Sequence, residues 1–355
     1  MMIRILPLLA FLSCLTVENS PYDTARGGSA GFFLLDALAS HPGTLTRTRF
    51  FATTDNQSLL ESTGDGQWRR VDYSGGVIVS GLAHRESKLL ATGPGSDVYY
   101  TSTDSGLSWS TEAVPLGASS STRIAACGNH TIVTANVGAA SFGVSTSLNG
   151  GGSWNGPVTI VAGTPSSDLA HCPVSAQGGC SGFCLASGAG LGTNVTAYST
   201  DGSSWTPIAG LPAGTRHGAA SGKQGILIGA NTGAIFHSSG DPASFTQVDT
   251  ELSYSGHIVH TGDAFVYVSA PGTIVRLRRS LDPASSNWTQ TDVDFVVDPP
   301  TINAASAASG VVVLVGSRSG AAFVMRSTDH GVSWQTDDVS TLGATTLTSV
   351  VAVQD

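Results

Sequence analysis

Side chains able to do chemistry are scarce in this chain, and several of them recur at matched places. Arg123, Asp168, Arg216 with His217, and His257 each stand at a corresponding early position of a short strand-like stretch, roughly one repeat unit apart. Two or three guanidinium groups brought together would hold a carboxylate or a sulfate through paired, charge-assisted hydrogen bonds. Arg318, at the end of a later apolar stretch, would add another such fork. Within this set Asp168 is the group that would give or take a proton, and Tyr254 with Glu251 would be a nucleophile and its partner. The bland alternative is a set of solvated residues around a wet opening. No P-loop, G-x-S-x-G or H-E-x-x-H occurs.

The cysteines form a second group. Cys14 lies in the apolar leader, which leaves Cys127, Cys172, Cys180 and Cys184, an even number confined to one part of the chain. That parity suits disulfides in an oxidising compartment. Either Cys172 joins Cys184 across a hairpin, or Cys127 joins Cys172 between repeat units while Cys180 joins Cys184 locally. A zinc site is disfavoured because no C-x-x-C pair is present and His171 would point to the opposite face of a strand from Cys172. No metal or other cofactor is expected.

These residues hang on a repeated element. All six tryptophans close one recurring phrase, and a phenylalanine takes the remaining place: STGDGQW at Trp68, STDSGLSW at Trp109, SLNGGGSW at Trp154, STDGSSW at Trp205, SSGDPASF at Phe245, SLDPASSNW at Trp288 and STDHGVSW at Trp334. In each phrase Asp65, Asp104, Asn149, Asp201, Asp241, Asp282 or Asp329 accepts hydrogen bonds from its own turn, glycine supplies the tight positions, and the ring plugs into an apolar layer. Calcium would need alternating oxygen ligands that no copy offers. Around every phrase runs the same order: apolar stretch, turn, apolar stretch, phrase, short strand. Four strands per unit of 40 to 50 residues is the signature of a propeller blade. The first unit lacks an innermost strand, and the chain ends in a surplus one, TTLTSVVAVQD. We therefore expect an all-β, seven-bladed propeller of four-stranded antiparallel blades over residues 46–355, closed by the C-terminal strand.

Composition agrees. Glycine numbers 44 of 355 residues, well above the usual share of about 7%, and charged residues make up only 12%. The net charge of −9, without a cluster of Lys and Arg, excludes a nucleic-acid partner. Residues 1–16, MMIRILPLLAFLSCLT, read as an export signal, with lipid attachment at Cys14 as an alternative to full cleavage, and 17–45 as a flexible segment. No stretch reaches the length of a transmembrane helix. Sequons begin at Asn56, Asn129, Asn194 and Asn287.

The phrase S-x-D-x-G-x-[ST]-W resembles the Asp-box, or BNR, repeat of sialidases, sortilin-type receptors, xyloglucan-cleaving glycosidases and seven-bladed photosystem II assembly factors of the Ycf48 type. The resemblance covers all seven units; those ending at Trp68, Trp109, Trp154, Trp205 and Trp334 are close to the full pattern. It implies the propeller fold and says little about activity, since the turn recurs in enzymes and non-enzymes alike. A sialidase-like centre would show Arg-Ile-Pro near the first blade. The nearest phrase here is Thr122-Arg123-Ile124, with Ala125 in place of proline and in the third unit. The expectation is an exported, monomeric binding or scaffold module for a protein or carbohydrate. Its alternatives are a sialidase-like exo-glycosidase using Asp168, Tyr254 and Glu251, and a Ycf48-like assembly factor for a membrane complex.

Overall fold

In a computed structural model the described residues run from 48 to 354, apart from 57, 73–80, 94–96, 117, 138–140, 163–165, 176–178, 191–192, 212–215, 231–232, 251–255 and 286. The chain divides into two units, Met1–Thr46 and Arg47–Asp355. The leader, Cys14, Glu251 and Tyr254 all lie outside the described residues.

Among the described residues, twenty-eight short strands make seven four-stranded antiparallel sheets. Blade 1 holds β1 (Thr48–Thr54), β2 (Leu59–Ser62) and β3 (Trp68–Val71), with β28 (Leu347–Gln354) as its inner strand. Blade 2 runs outward through β4 (Gly81–Arg85), β5 (Lys88–Thr92), β6 (Val98–Ser102) and β7 (Ser110–Ala113). Blade 3 follows with β8 (Ala118–Cys127), β9 (His130–Val137), β10 (Ser141–Ser147) and β11 (Asn155–Ala162). Blade 4 comprises β12 (Ser166–His171), β13 (Cys184–Gly190), β14 (Thr193–Ser199) and β15 (Thr206–Pro207), and blade 5 β16 (Arg216–Gly222), β17 (Gly225–Ala230), β18 (Ala234–Ser238) and β19 (Thr246–Thr250). Blade 6 is β20 (Gly256–His260), β21 (Phe265–Ser269), β22 (Ile274–Ser280) and β23 (Thr289–Asp294). Blade 7 is β24 (Thr301–Ala308), β25 (Val311–Arg318), β26 (Ala321–Ser327) and β27 (Gln335–Asp337).

The inner strands touch in a closed circle from β28 through β4, β8, β12, β16, β20 and β24 back to β28. The C-terminal strand pairs with β1 from Thr48↔Gln354 to Thr54↔Leu347, so the surplus strand does complete blade 1. Continuous apolar runs explain the middle strands, such as Gly225–Ala230 and Phe265–Ser269, which are buried at every position because each blade packs one face against each neighbour.

The tryptophan-bearing turns link those layers. Ser102 Oγ donates to Asp104 Oδ1 at 2.8 Å, Asp104 accepts from Ser108 N at 2.9 Å, and Gly106 at φ +86° donates its N–H to Ser102 Oγ. Each ring then packs between its own blade and the one before it. Trp154 of blade 3 lies edge-on to Tyr99 of blade 2 at 5.3 Å, and Trp68 of blade 1 joins Val313, Val315 and Val324 of blade 7. The ring thus serves as filler between blades, a wider role than plugging a single layer.

Two disulfides occur, Cys127–Cys180 between blades 3 and 4 and Cys172–Cys184 within blade 4. The hairpin pairing of Cys172 with Cys184 is therefore right, and the alternative joining Cys127 to Cys172 and Cys180 to Cys184 is corrected. The excursion after His171 folds back through the Val174↔Cys180 bridge, which carries Cys180 to the end of β8 beside Cys127. Among the described residues no helix is long and apolar enough to cross a membrane.

Candidate functional site

Because every inner strand starts from the preceding blade's last strand, one mouth of the channel carries those connecting loops together with the turns between second and third strands. We call it the entry mouth. The exit mouth carries the inner hairpins and the tryptophan-bearing turns.

Neighbouring inner strands do not share a backbone ladder, so polar side chains bridge them. Asn303 Nδ2 donates to Leu347 O at 2.8 Å, Ser349 Oγ accepts from Leu82 N at 3.2 Å, Ser306 Oγ accepts from Ala352 N at 2.9 Å, and His257 Nε2 lies 3.2 Å from Ile302 O. This accounts for the Ser, Thr, Asn and His in strands whose outer neighbours are nearly all aliphatic.

The entry half of the channel is a cavity of about 180 Å³ to which all seven inner strands contribute, among them Arg123, Leu169, Gly218, His257, Asn303 and Ser349. Arg123 and His257 thus line one cavity. The aligned strands also share a feature invisible in the sequence. Five of the seven inner strands carry a β-bulge near this end, skipping Thr122, Asp168, His217, Asn303 and Thr348 in the pairing register. The side chains of Asp168, Arg216 and His217 lie outside the described residues. Asp168 and His217 occupy two of these positions in strands that line the channel, and Arg216 precedes His217. Small residues allow the approach: a Cβ on Gly218 would lie 2.7 Å from Ile258 N in the next blade.

Arg318 is employed elsewhere. Its Nε donates to Asp298 O at 2.9 Å and its Nη2 to Val297 O at 3.1 Å, while the guanidinium carbon stands 4.7 Å from the centre of the Phe295 ring. Two of its donors thus hold the loop from β23 to β24.

The exit mouth opens into a larger cavity of about 510 Å³, lined in part by His171, Ser221, Lys223, His260, Ser306 and Gln354. Ser221 Oγ accepts from Val174 N at 2.8 Å and stands 3.2 Å from His171 Nε2. Burial pushes the His171 imidazole down to about 4, so it is neutral at pH 7 and shares a hydrogen bond with the Ser221 hydroxyl. Burial also lowers His260, against the opposing pull of Asp263, and its Nε2 stands 3.0 Å from Gln224 Oε1. His171, Ser221 and His260 stand at the ends of the inner strands, opposite the entry-side positions of Arg123, Asp168, Arg216 and His257. No cluster of three or more metal-ligating side chains occurs among the described residues.

No protein-family model and no curated protein matches the sequence. Solved structures do. The chain is similar to YCF48 bound to D1 peptide, at 18% identity and TM-score 0.53 over 76% of this chain and 85% of that one. It is similar to a chain of a nidogen/laminin complex at 11% identity and TM-score 0.52, over 86% of this chain and 98% of that one. A GH74 xyloglucanase from Xanthomonas campestris follows at 14% identity and TM-score 0.50, over 81% of this chain and 52% of that enzyme. The likeness is one of fold. All three surround a ring of blades with different business, so function must be argued from the site.

Proposed function

We propose that this chain is an exported binding propeller whose entry face holds a segment of another protein. The observation that carries the reading is the lining of the entry cavity: small and aliphatic side chains, with Asn303 and Ser349 as neutral polar groups, Arg123 and His257 as the ionisable ones, and no carboxylate among the described lining residues. Such a surface gives shape and a few hydrogen bonds, which suits recognition better than proton transfer. Export fits the two disulfides, which persist where thiols are oxidised. The similar structures include one holding a peptide and one from a protein–protein complex, which supports a protein segment ahead of a glycan as the ligand.

A second reading, glycoside hydrolysis, draws on the bulge at Asp168 in a channel-lining strand. It assigns Asp168 as acid/base, Tyr254 and Glu251 as the nucleophile pair, and Arg123 and Arg216 as carboxylate holders. Arg318 is less suited to that role, having spent two donors on backbone carbonyls.

The test runs the purified full chain against peptide and glycan arrays and a panel of fluorogenic glycosides, sialosides included. Peptide binding that falls at least about tenfold in Arg123→Ala is expected, the loss of one charge-assisted contact. Turnover of any glycoside that disappears in Asp168→Asn would replace this reading with the hydrolase.

A further inference from the structure

Resting on the binding reading, we propose that the loop between β23 and β24, residues 295–300, is the docking knob of the entry face, and that it takes a protein segment carrying an aliphatic side chain beside Lys or Arg. Val296 and Val297 are 79% and 68% exposed, the most open large apolar side chains among the described residues. A loop that merely connected two strands would have no reason to hold two adjacent valines in water.

This loop is braced from below. Phe295 is buried, lies edge-on to Phe323 at 5.7 Å, and donates its N–H to Thr273 O at 2.7 Å. Arg318 covers the outer face of the Phe295 ring and donates to the carbonyls of Val297 and Asp298. Asp298 is in the left-handed region at φ +56°, and two prolines follow, of which Pro300 is buried. Buried ring, guanidinium fork and prolines together set the backbone before any partner arrives, so little ordering entropy remains to be lost on binding. Arg318 acts here as a positioning residue for the valines.

The surroundings specify the partner. Asp294 and Asp298 flank the valines and are exposed, whereas Asp292 two residues earlier is answered by Arg276 through a two-point contact at 3.0 and 3.1 Å. An apolar step between two open carboxylates is complementary to an aliphatic residue next to a cation. Pro300 at the foot of the loop also lines a cleft of about 190 Å³ between blades 6 and 7. The cleft reaches His257, which lines the entry cavity too, so knob, cleft and channel mouth form one continuous track for an extended segment.

Selection of short random displayed peptides on the purified full chain tests this. Binders are expected to be enriched in Leu, Ile or Val adjacent to Lys or Arg. The double variant Val296→Ser/Val297→Ser should lower their affinity by about ten- to a hundredfold, as for loss of two buried aliphatic contacts. Its thermal unfolding should stay unchanged, since both side chains are exposed. Asp294→Asn/Asp298→Asn should weaken binding severalfold and flatten its salt dependence. Acid-rich binders, or binders indifferent to the valine change yet lost in Arg123→Ala, would overturn the knob and leave the binding reading standing. Failure to select any binder would overturn both.

Discussion

At the scale of residues, the carboxylates of Asp65, Asp104, Asp201, Asp241 and Asp329 each accept hydrogen bonds within their own turn. The Ser108 hydroxyl and N–H hold the Asp104 carboxyl at about 2, and the Ser204 and Ser203 N–H groups do the same for Asp201. At Asp329 burial pushes upward, but the Ser333 hydroxyl and N–H and the Ser327 hydroxyl outweigh it, again giving about 2. Because these folded values lie below the ordinary 3.8, the carboxylates stabilise the fold fully above about pH 4, and that contribution is lost as pH falls toward 2. His171 behaves with the opposite chemistry and the same outcome. Kept neutral down to about 4, it costs stability as pH drops below the ordinary 6.5, where the unfolded chain takes up the proton first. Blade 3 supplies the natural control, since Asn149 accepts from Ser147 and Ser153 at 3.0 and 2.8 Å through an amide that does not titrate. The triple variant Asp104→Asn, Asp201→Asn, Asp329→Asn should therefore fold at neutral pH and show a smaller fall in Tm between pH 4 and 2, read by calorimetry. A Tm slope equal to that of the parent would show that the turns do not govern the acid limb. The phrase is local, so its chemistry was legible from the residues alone. Its reach into the preceding blade was not, because that contact joins residues 55 apart, as for Tyr99 with Trp154.

At the scale of elements, the seam between blades 7 and 1 has its own lock. Arg326 and Asp337, both almost wholly buried, pair at 3.2 Å; Arg326 Nη1 donates to Gly64 O at 3.0 Å, and Trp68 Nε1 donates to Asp337 Oδ2 at 3.0 Å. The network ties β26 and β27 to the turn of blade 1, where chain order places the partners more than 260 residues apart. Asp337→Ala leaves a buried guanidinium uncompensated and should cost about 3–5 kcal/mol in urea unfolding, whereas Arg326→Met/Asp337→Leu should cost much less. Equal losses in the two variants would mean that packing, and not the stranded charge, sets the penalty. Nothing in the sequence marks these two residues. Their types are ordinary for strand edges, and only the neighbouring blade removes them from water. The inner-strand bulges have the same character. The recurring apolar stretches located the strands, but the extra residue at Asp168 or His217 follows from how seven strands crowd around one axis.

At the scale of the whole molecule, the ring depends on a strand borrowed from the far end of the chain. β28 supplies the inner edge of blade 1 and packs against both β24 and β4, so it holds three blades at once. Deleting residues 347–355 should expose the inner edge of β1 and the channel side of blade 7. The expected result is loss of the near-ultraviolet circular dichroism signal and of a single cooperative melt; a sharp melt with that signal intact would show that the ring does not need its clasp. The disulfides act on the other side of the circle. Closing 53 residues between blades 3 and 4 constrains the unfolded chain by about 4 kcal/mol, against about 3 kcal/mol for the 12-residue closure inside blade 4.

The sequence by itself determined the number of blades, the strand order within them, the turn chemistry and the clasp, because each is written in contiguous residues or in a pattern that repeats along the chain. Tertiary structure alone decided that Cys127 meets Cys180, that Arg318 braces a loop of exposed valines, that Arg123 and His257 share a cavity, and that Arg326 with Asp337 seals the ring. All of these depend on which blade lies beside which and at what angle. Packing between sheets settles that, and no single segment records it.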